Sequence, residues 1–457
     1  MLSSLISKLR NTFVRFRRNP LTSRIVRNAG YLLSASTLGA ALSMAQSVFA
    51  ARLLGVETFG ILGAVTQFAS VINRLTSFRM SELVVSYIGE FSSKEKDRHS
   101  AAVFKGASLT EMTCSLLAFG ILVALAPLGA KYIAQDPETA NIFVLYGLSV
   151  VANLFSESAL GLLQIYDRFK TIAYITVIQS VVTLGLILAA FFMDGHLLEV
   201  VIAYLVGKII YAGSISFAAF RLANQQWGTG WWRTPLGLLS DRVRDLTRFA
   251  ISTNLSGTIN LVTRDSDILW INALSNPTQG GYYKVAKAFM NVLIIPVNPL
   301  ISTTYREVAR EVAAKHWQNV RYLLRSGTLL SAAWTIPVSI GLAVLGPWLI
   351  LIYGPEFLPA YPVMLILIIG VIAANLVYWG RSVLLPLGMP DYPTRVGFIA
   401  GAFQIAGMLV LVPVWGAIGM ATMMSVFYIV QSLILSWKTL RELSRVEQVP
   451  VPEPGGG

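Results

Sequence analysis

Residues 171–193 read TIAYITVIQSVVTLGLILAAFFM, a stretch without a single charged side chain. About 20 apolar residues in a helix cross the hydrocarbon core of a bilayer, so this stretch predicts a transmembrane helix. The whole chain has the same character: of its 457 residues, 55% are hydrophobic and only 13% are charged, and its mean hydropathy is +0.63. Soluble domains carry about 25% charged residues. The composition therefore predicts a membrane protein, and the single cysteine, Cys114, excludes a disulfide scaffold.

Comparable apolar runs recur along the sequence. We expect an all-α polytopic membrane protein with twelve transmembrane helices, near residues 28–52, 58–81, 102–127, 141–164, 171–193, 198–221, 249–274, 281–304, 327–352, 361–386, 396–414 and 417–438. Because twelve is an even number, both termini fall on the same side of the membrane.

The lysines and arginines decide which side that is. The loops on the side of the termini carry 26 of them, whereas the opposite loops carry only Arg52 and Lys131. By the positive-inside rule, both termini are then cytoplasmic. The net charge of +13 is explained by topology and by attraction to anionic lipid, and we expect no nucleic-acid binding.

The two halves of the chain resemble each other. At an offset of 221 residues, Gly60 aligns with Gly281 and Glu90 with Glu311. A shorter match at an offset of 222 aligns the Ala-Asn-Leu of 152–154 with that of 374–376. Six helices per half give both halves the same orientation, as in transporters with parallel repeats. We therefore expect two six-helix lobes that are related by a pseudo-two-fold axis along the membrane normal.

These features predict five segments. We expect a cytoplasmic basic amphipathic anchor at 1–27, an N-lobe at 28–221, an interfacial amphipathic linker at 222–247, a C-lobe at 248–440 and a disordered tail at 441–457. A cleaved signal peptide is the alternative for the N-terminus, although the apolar run after it is long for one. A plain linker is the alternative to an interfacial helix at 222–247.

Polar residues form stripes on three of the predicted helices. One face of helix 249–274 carries Thr253, Gly257, Asn260, Arg264 and Asp267. Helix 58–81 carries Gln67, Ser70, Arg74, Ser77 and Ser81, and helix 281–304 carries Lys284, Lys287, Asn291, Asn298 and Ser302. A charge at the bilayer centre costs roughly 2.5–3.5 kcal/mol, so these faces predict a shared water-filled cavity. The alternative for Arg264 and Asp267 is a self-neutralising pair within their helix.

Basic residues outnumber acidic ones on these faces, which favours an anionic substrate such as a phosphate or pyrophosphate. We expect substrate binding by eight residues: Arg264, Lys287, Lys284, Arg74, Asn260, Asn291, Asn298 and Gln67. Asp265, Asp267 and Glu157 are candidates for coupling to H⁺ or Na⁺, and a pair between Glu157 and Lys208 is the alternative for the last of these. Beyond such an ion we expect no cofactor, no metal and no catalytic residue, because the three histidines form no cluster with metal-ligand spacing.

Two motifs resemble a known family. Residues 51–60, ARLLGVETFG, resemble the "ARLLGPEDFG" segment of Wzx-like polysaccharide-export flippases, the polysaccharide transporter family of the MOP superfamily. Arg264-x-x-Asp267 followed by Gly281-Tyr-Tyr-Lys-Val-Ala resembles their "R..D.LLIG…G.Y..A" segment.

This resemblance implies a flippase of the bacterial inner membrane. It would move an undecaprenyl-pyrophosphate-linked oligosaccharide, an anionic lipid-linked substrate, from the cytoplasmic to the periplasmic leaflet by alternating access. Polysaccharide polymerases and glycosyltransferases are the partners that such a role implies, beside the lipid bilayer itself.

Three other functions remain as alternatives. A multidrug exporter of the same superfamily would require acidic residues to bind cationic drugs, and helix 28–52 has none. A lipid II flippase is closer, although such proteins commonly carry helices after the twelfth. A membrane glycan polymerase or ligase would be an enzyme, and it would want a large outer loop with catalytic groups.

Overall fold

The computed structural model describes residues 20–92, 94–242, 244–248, 261–389 and 391–447. Across these ranges the chain is helical, with turns between the helices and no strand. The α-helices are α1 (Pro20–Thr76), α2 (Met80–Ser92), α3 (Asp97–Gly129), α4 (Ala140–Ala152), α5 (Ser156–Ile165), α6 (Phe169–Phe192), α7 (Leu197–Trp227), α8 (Asp267–Leu274), α9 (Pro277–Ile294), α10 (Asn298–Ala313), α11 (Trp317–Leu351), α12 (Ala360–Leu376), α13 (Gly380–Leu384) and α14 (Asp391–Glu447). Residues 1–19 of the predicted anchor, 249–260 of a predicted helix and 448–457 of the predicted tail lie outside the described residues.

Two glycines interrupt the longest helices. Helices α1 and α14 are each 57 residues long. A straight helix of that length would measure about 85 Å, far more than the ~30 Å hydrocarbon core. Gly55 (φ 71°, ψ 176°) and Gly416 (φ 54°, ψ −127°) break the helical backbone inside them. A residue with a Cβ adopts such conformations only at a cost, and both glycines fall in connections that hydropathy predicts.

The described helices establish a multi-pass membrane protein. Eight of them are long and apolar enough to cross a membrane, and nine if the bent pair α9 and α10 is counted as one span. Two of the eight spans contain the glycine breaks just described. The all-helical membrane architecture is thus confirmed, whereas twelve crossings and a two-fold axis stay predictions.

Four predicted helices are broken rather than continuous. The breaks lie at 77–79 between α1 and α2, at 153–155 between α4 and α5, at 295–297 between α9 and α10, and at 377–379 between α12 and α13. Only one of the four contains a proline, Pro296. A helix break inside a membrane frees backbone groups that side chains, water or a bound ion must satisfy. The breaks are therefore natural places for polar sites.

The chain folds as two compact units. The first consists of Met1–Ala50, Ile72–Leu125 and Ile142–Ser256, and the second of Ala51–Val71, Ala126–Asn141 and Gly257–Gly457. In the first unit α5 packs on α2 and α7, around the buried side chains of Val84, Ile88 and Leu162. In the second unit α12 packs on α9, α11 and α14 and buries Met364 and Leu367.

The linker at 222–247 differs from the single interfacial helix that we expect from its sequence. Helix α7 continues to Trp227, and two short 3₁₀ helices follow at Trp231–Arg233 and Leu236–Arg242. The ring of Trp231 lies 5.1 Å from that of Phe104, and Leu239 is buried. These aromatic contacts hold the linker against the first unit, in place of a regular helix.

Candidate functional site

A buried charge pair lies at the start of α8. Asp267 is 1% exposed, and one of its carboxylate oxygens forms an ion pair with Lys287 of α9. The other oxygen, Oδ1, accepts hydrogen bonds from Gln67 Nε2 at 2.8 Å and from the backbone N–H of Ile268 at 2.9 Å. Gln67 Oε1 accepts in turn from the N–H of Leu269 at 3.1 Å. Three sequence-predicted residues, Gln67, Asp267 and Lys287, thus meet in one satisfied network.

This pairing replaces the alternative of an Arg264–Asp267 pair within one helix. It also changes the charge balance, because the carboxylate neutralises the ammonium group of Lys287. Lys284 is engaged elsewhere: its Nζ lies 3.8 Å from the centre of the Phe59 ring and donates to the Phe59 carbonyl oxygen at 3.4 Å. A cation over an aromatic face is attracted by the ring quadrupole.

Close helix contacts fix this region. A Cβ at Gly60 would lie 1.8 Å from the carbonyl oxygen of Pro277, and one at Gly281 would lie 2.3 Å from the carbonyl oxygen of Val56. The amide of Asn272 donates to the carbonyl oxygen of Gly60 at 3.3 Å. Gly60 and Gly281 are equivalent positions of the sequence repeat, and at both of them only glycine allows the backbones to approach.

Arg264 lines a cavity of about 330 Å³ in the second unit. Its guanidinium carbon lies 4.9 Å from the centre of the Tyr428 ring and 5.3 Å from that of Phe427. Its Nη2 donates to Gln431 Oε1 at 3.5 Å. Among the described residues, its buried Nε has no hydrogen-bond partner. Stacked guanidinium groups with free donors are suited to bind phosphate oxygens.

A second arginine lines the same cavity. Arg381 is not among the residues predicted from the sequence; it is the second residue of α13 and lies next to the helix break 377–379. Asn298, the first residue of α10, also lines the cavity, as do Asn375, Tyr378 and Ser432. No Asp or Glu is among the described residues around it. The cavity is therefore positively charged.

The remaining predicted substrate residues are more scattered. Arg74 is exposed in the last turn of α1, and Asn291 is exposed on α9. Asn260 lies outside the described residues. Asp265, half-buried, ends the π-helical turn Leu261–Asp265 that carries Arg264. A binding role for each of them stays a prediction.

Glu157 lies in the first unit, at the second residue of α5. The Ser77 side chain and the backbone N–H of Met80 are the polar groups that act on its carboxylate. It is thus bound at the break 77–79, rather than to Lys208. A second carboxylate, that of Glu111 on α3, accepts from backbone N–H groups at the start of α5. We do not select Glu111 from the sequence.

Some contacts of the second unit leave little trace in the sequence. The amide of Asn375 donates to the Leu293 carbonyl oxygen at 3.0 Å and to Thr335 Oγ1 at 3.2 Å. Asn375 matches Asn153 in the repeat: Asn153 is the first residue of the break 153–155, and Asn375 lies two residues before the break 377–379. The repeated asparagine is a sequence signal close to these two breaks, but an asparagine in an apolar helix does not by itself predict where the helix stops.

Comparison with known proteins gives a family and a fold. The family described as "Polysaccharide biosynthesis protein" matches residues 25–305, more than half of the chain. The teichuronic acid biosynthesis protein TuaB of Bacillus subtilis (strain 168) is 21% identical over 280 residues, which are 60% of this chain and 55% of that protein. The chain thus matches about half the length of this relative.

Solved structures show the same fold at low identity. A multidrug resistance MATE family transporter of the MOP superfamily, inward-facing, has a TM-score of 0.70 at 10% identity, over 90% of this chain and 96% of that one. The lipid II flippase MurJ, inward closed, has a TM-score of 0.69 at 15% identity, over 91% and 89%. A MOP superfamily transporter from Pyrococcus furiosus has a TM-score of 0.66 at 9% identity, over 95% and 98%.

Proposed function

We propose that this chain, which belongs to the polysaccharide biosynthesis protein family and has the fold of MOP superfamily transporters, is a flippase for a lipid-linked oligosaccharide. It moves an undecaprenyl-pyrophosphate-linked substrate from the cytoplasmic to the periplasmic leaflet of the bacterial inner membrane. The substrate then serves surface polysaccharide biosynthesis.

The cavity around Arg264 carries this proposal. It is lined by two arginines and by amide and hydroxyl groups, and the described residues around it include no carboxylate. Its volume of about 330 Å³ lies at the lower end of small-molecule pockets, which measure about 300–1,000 Å³. We infer that it holds the pyrophosphate, with Arg264 and Arg381 on the phosphate oxygens and with Asn298 and Gln431 on neighbouring polar atoms.

The repeat supports a transporter mechanism. The helix breaks fall at nearly equivalent positions of the two halves. When the halves are aligned at the 221 offset, the break 77–79 falls within a few residues of the break 295–297, and at the 222 offset the break 153–155 does so with the break 377–379. We infer twelve crossings in two lobes with cytoplasmic termini, and alternating access by movement of one lobe against the other. Glycosyltransferases would supply the substrate and a polymerase would consume it.

Substrate competition tests the proposal against its rivals. Purified protein in liposomes receives a fluorescent undecaprenyl-pyrophosphate oligosaccharide, and its leaflet distribution is followed over time. We expect the protein to transfer the labelled substrate between leaflets. Unlabelled lipid-linked oligosaccharide should inhibit this transfer more strongly than lipid II does, and a cationic dye should not change its rate.

Each rival predicts a different outcome. Stronger inhibition by lipid II would make the protein a lipid II exporter, and export of the dye would make it a multidrug transporter. Sugar transfer to an acceptor without translocation would make it an enzyme. Each of these results overturns the proposal.

A further inference from the structure

A second cavity, of about 170 Å³, lies wholly in the first unit. It is formed where two helix breaks meet: Ser77 and Phe78 come from the break 77–79, and Asn153 from the break 153–155. Helix α3 supplies Glu111 and Ser115. Discontinuous helices of this kind form the sites of coupling ions in membrane transporters.

Glu111 organises one wall of the cavity. It is 6% exposed, and its Oε1 accepts from the backbone N–H of Glu157 at 2.7 Å. Its Oε2 accepts from the N–H of Ser158 at 2.9 Å and from the Ser158 hydroxyl at 2.6 Å. The carboxylate thus caps the N-terminus of α5, where free N–H groups attract negative charge. Both of its oxygens are engaged in positioning α5.

Two other oxygens in the wall remain available. Among the described residues, neither Glu157 Oε2 nor the hydroxyl of Ser156 has a hydrogen-bond partner, although both atoms are buried. Ser156 is 8% exposed, and both residues line the cavity. A buried polar group without a partner is destabilising, so unpartnered oxygens on two successive residues of one cavity wall indicate a ligand that satisfies both.

The charged surroundings define the sign of that ligand. The cavity is lined by the two carboxylates Glu111 and Glu157, and by Cys114 and Tyr211 as further titratable groups. No lysine, arginine or histidine is among its described lining residues. Outside the lining, Arg79 is the cation that acts on Glu157, but it pairs with the exposed Glu82 at 3.0 Å.

We propose that this cavity binds a monovalent metal cation, with Na⁺ as its representative. Glu157 Oε2 and Ser156 Oγ are its side-chain ligands, with water and nearby oxygens completing the shell. Carboxylate, hydroxyl and carbonyl oxygens are the ligands that hard cations prefer. The volume of about 170 Å³ is well below the ~300 Å³ at which drug-sized ligands begin. Binding itself is independent of the proposed flippase activity, and only its use for coupling rests on that function.

Thermal unfolding of the purified full-length protein in detergent tests the site. NaCl is titrated against N-methyl-D-glucamine chloride at constant pH and ionic strength. We expect a saturable rise of the unfolding midpoint with Na⁺ in the wild type, because a ligand that binds only the folded state stabilises it. Glu157→Gln should raise the half-saturating Na⁺ concentration at least tenfold, and Ser156→Ala at least threefold.

Glu307→Gln is the matched control, because Glu307 is exposed, pairs with Arg310 and is not in the cavity lining; it should titrate like the wild type. If the Glu157→Gln variant does not fold, the Na⁺ titration of the Ser156→Ala variant tests the proposal by itself. The same Na⁺ response in the wild type and both cavity variants would overturn the proposal. An unfolding midpoint that changes with pH but not with Na⁺ concentration would also overturn the proposal, since Glu157 would then bind a proton. Neither result depends on whether the protein moves lipid-linked sugar.

Discussion

Loss of Lys287 from the Asp267–Lys287 ion pair should destabilise the protein more than loss of Asp267 does. The Asp267 side chain is fully buried, whereas that of Lys287 is 21% exposed and also reaches the Arg264 carbonyl oxygen at 3.4 Å. Lys287→Met therefore leaves a buried carboxylate without its cation. Asp267→Asn leaves a partly exposed ammonium that water can solvate.

The structure sets the size of both effects. Loss of one partner of a buried ion pair costs about 3–5 kcal/mol, and the donors Gln67 Nε2 and Ile268 N–H still satisfy Asp267 Oδ1. We therefore expect about 3 kcal/mol for Lys287→Met. Asp267→Asn keeps an oxygen for those donors and should cost about 1–2 kcal/mol. The double variant removes both charges and should lie within about 1 kcal/mol of the wild type.

A double-mutant cycle in detergent measures these differences from thermal unfolding midpoints at one scan rate. Stability should fall in the order wild type, double variant, Asp267→Asn, Lys287→Met, with a coupling free energy of about 3–5 kcal/mol. Additive effects, or a larger loss for Asp267→Asn than for Lys287→Met, would refute the reasoning from burial.

Three further predictions concern the cavity and the glycines. Arg264→Ala should slow transfer of lipid-linked oligosaccharide tenfold to a hundredfold, because charge-assisted hydrogen bonds contribute about 1.5–3 kcal/mol. Gly60→Ala should lower the unfolding midpoint by the equivalent of about 3 kcal/mol, since its Cβ would meet a backbone carbonyl at 1.8 Å. Gly55→Ala should cost about 1–3 kcal/mol in the same measurement, because of its backbone conformation at φ 71°.

Each of these predictions has a control. Arg310 is 74% exposed and pairs with Glu307 at the surface, so Arg310→Ala should transfer substrate at the wild-type rate; equal rates for both arginine variants would contradict the site. Gly120 lies in α3 with no described atom near its Cβ position, so Gly120→Ala should unfold at or above the wild-type midpoint. Equal midpoints for the variants of Gly60, Gly55 and Gly120 would contradict the packing and strain arguments.

Much of the fold follows from hydropathy, because membrane helices must be long and apolar. The turns at Gly55 and Gly416 are also predictable, since each lies between two apolar runs. The breaks at 77–79, 153–155 and 377–379 are not, because Ser-Phe-Arg, Asn-Leu-Phe and Val-Tyr-Trp contain neither proline nor glycine. Tertiary contacts to neighbouring helices decide where such a helix stops.

The sequence predicts which types of residue form the candidate site, but it does not predict which of them pair with each other. Helical spacing brings Arg264 and Asp267 onto one face, but only the packing of α9 reveals that Asp267 binds Lys287. Arg381 was missed as a cavity residue, because its place near a helix end is equally typical of a side chain that reaches the headgroups. Ser156 and Glu111 do not belong to a recognisable sequence motif. Their role depends on the helix break at 153–155, which the sequence does not predict.

The rate at which a labelled undecaprenyl-pyrophosphate oligosaccharide changes leaflets in proteoliposomes tests the central claim most directly. We predict that the wild-type protein accelerates this transfer above protein-free liposomes, that Arg310→Ala matches it and that Arg264→Ala falls at least tenfold below it. A wild-type rate equal to that of protein-free liposomes, with folded and correctly inserted protein, would contradict the proposed flippase.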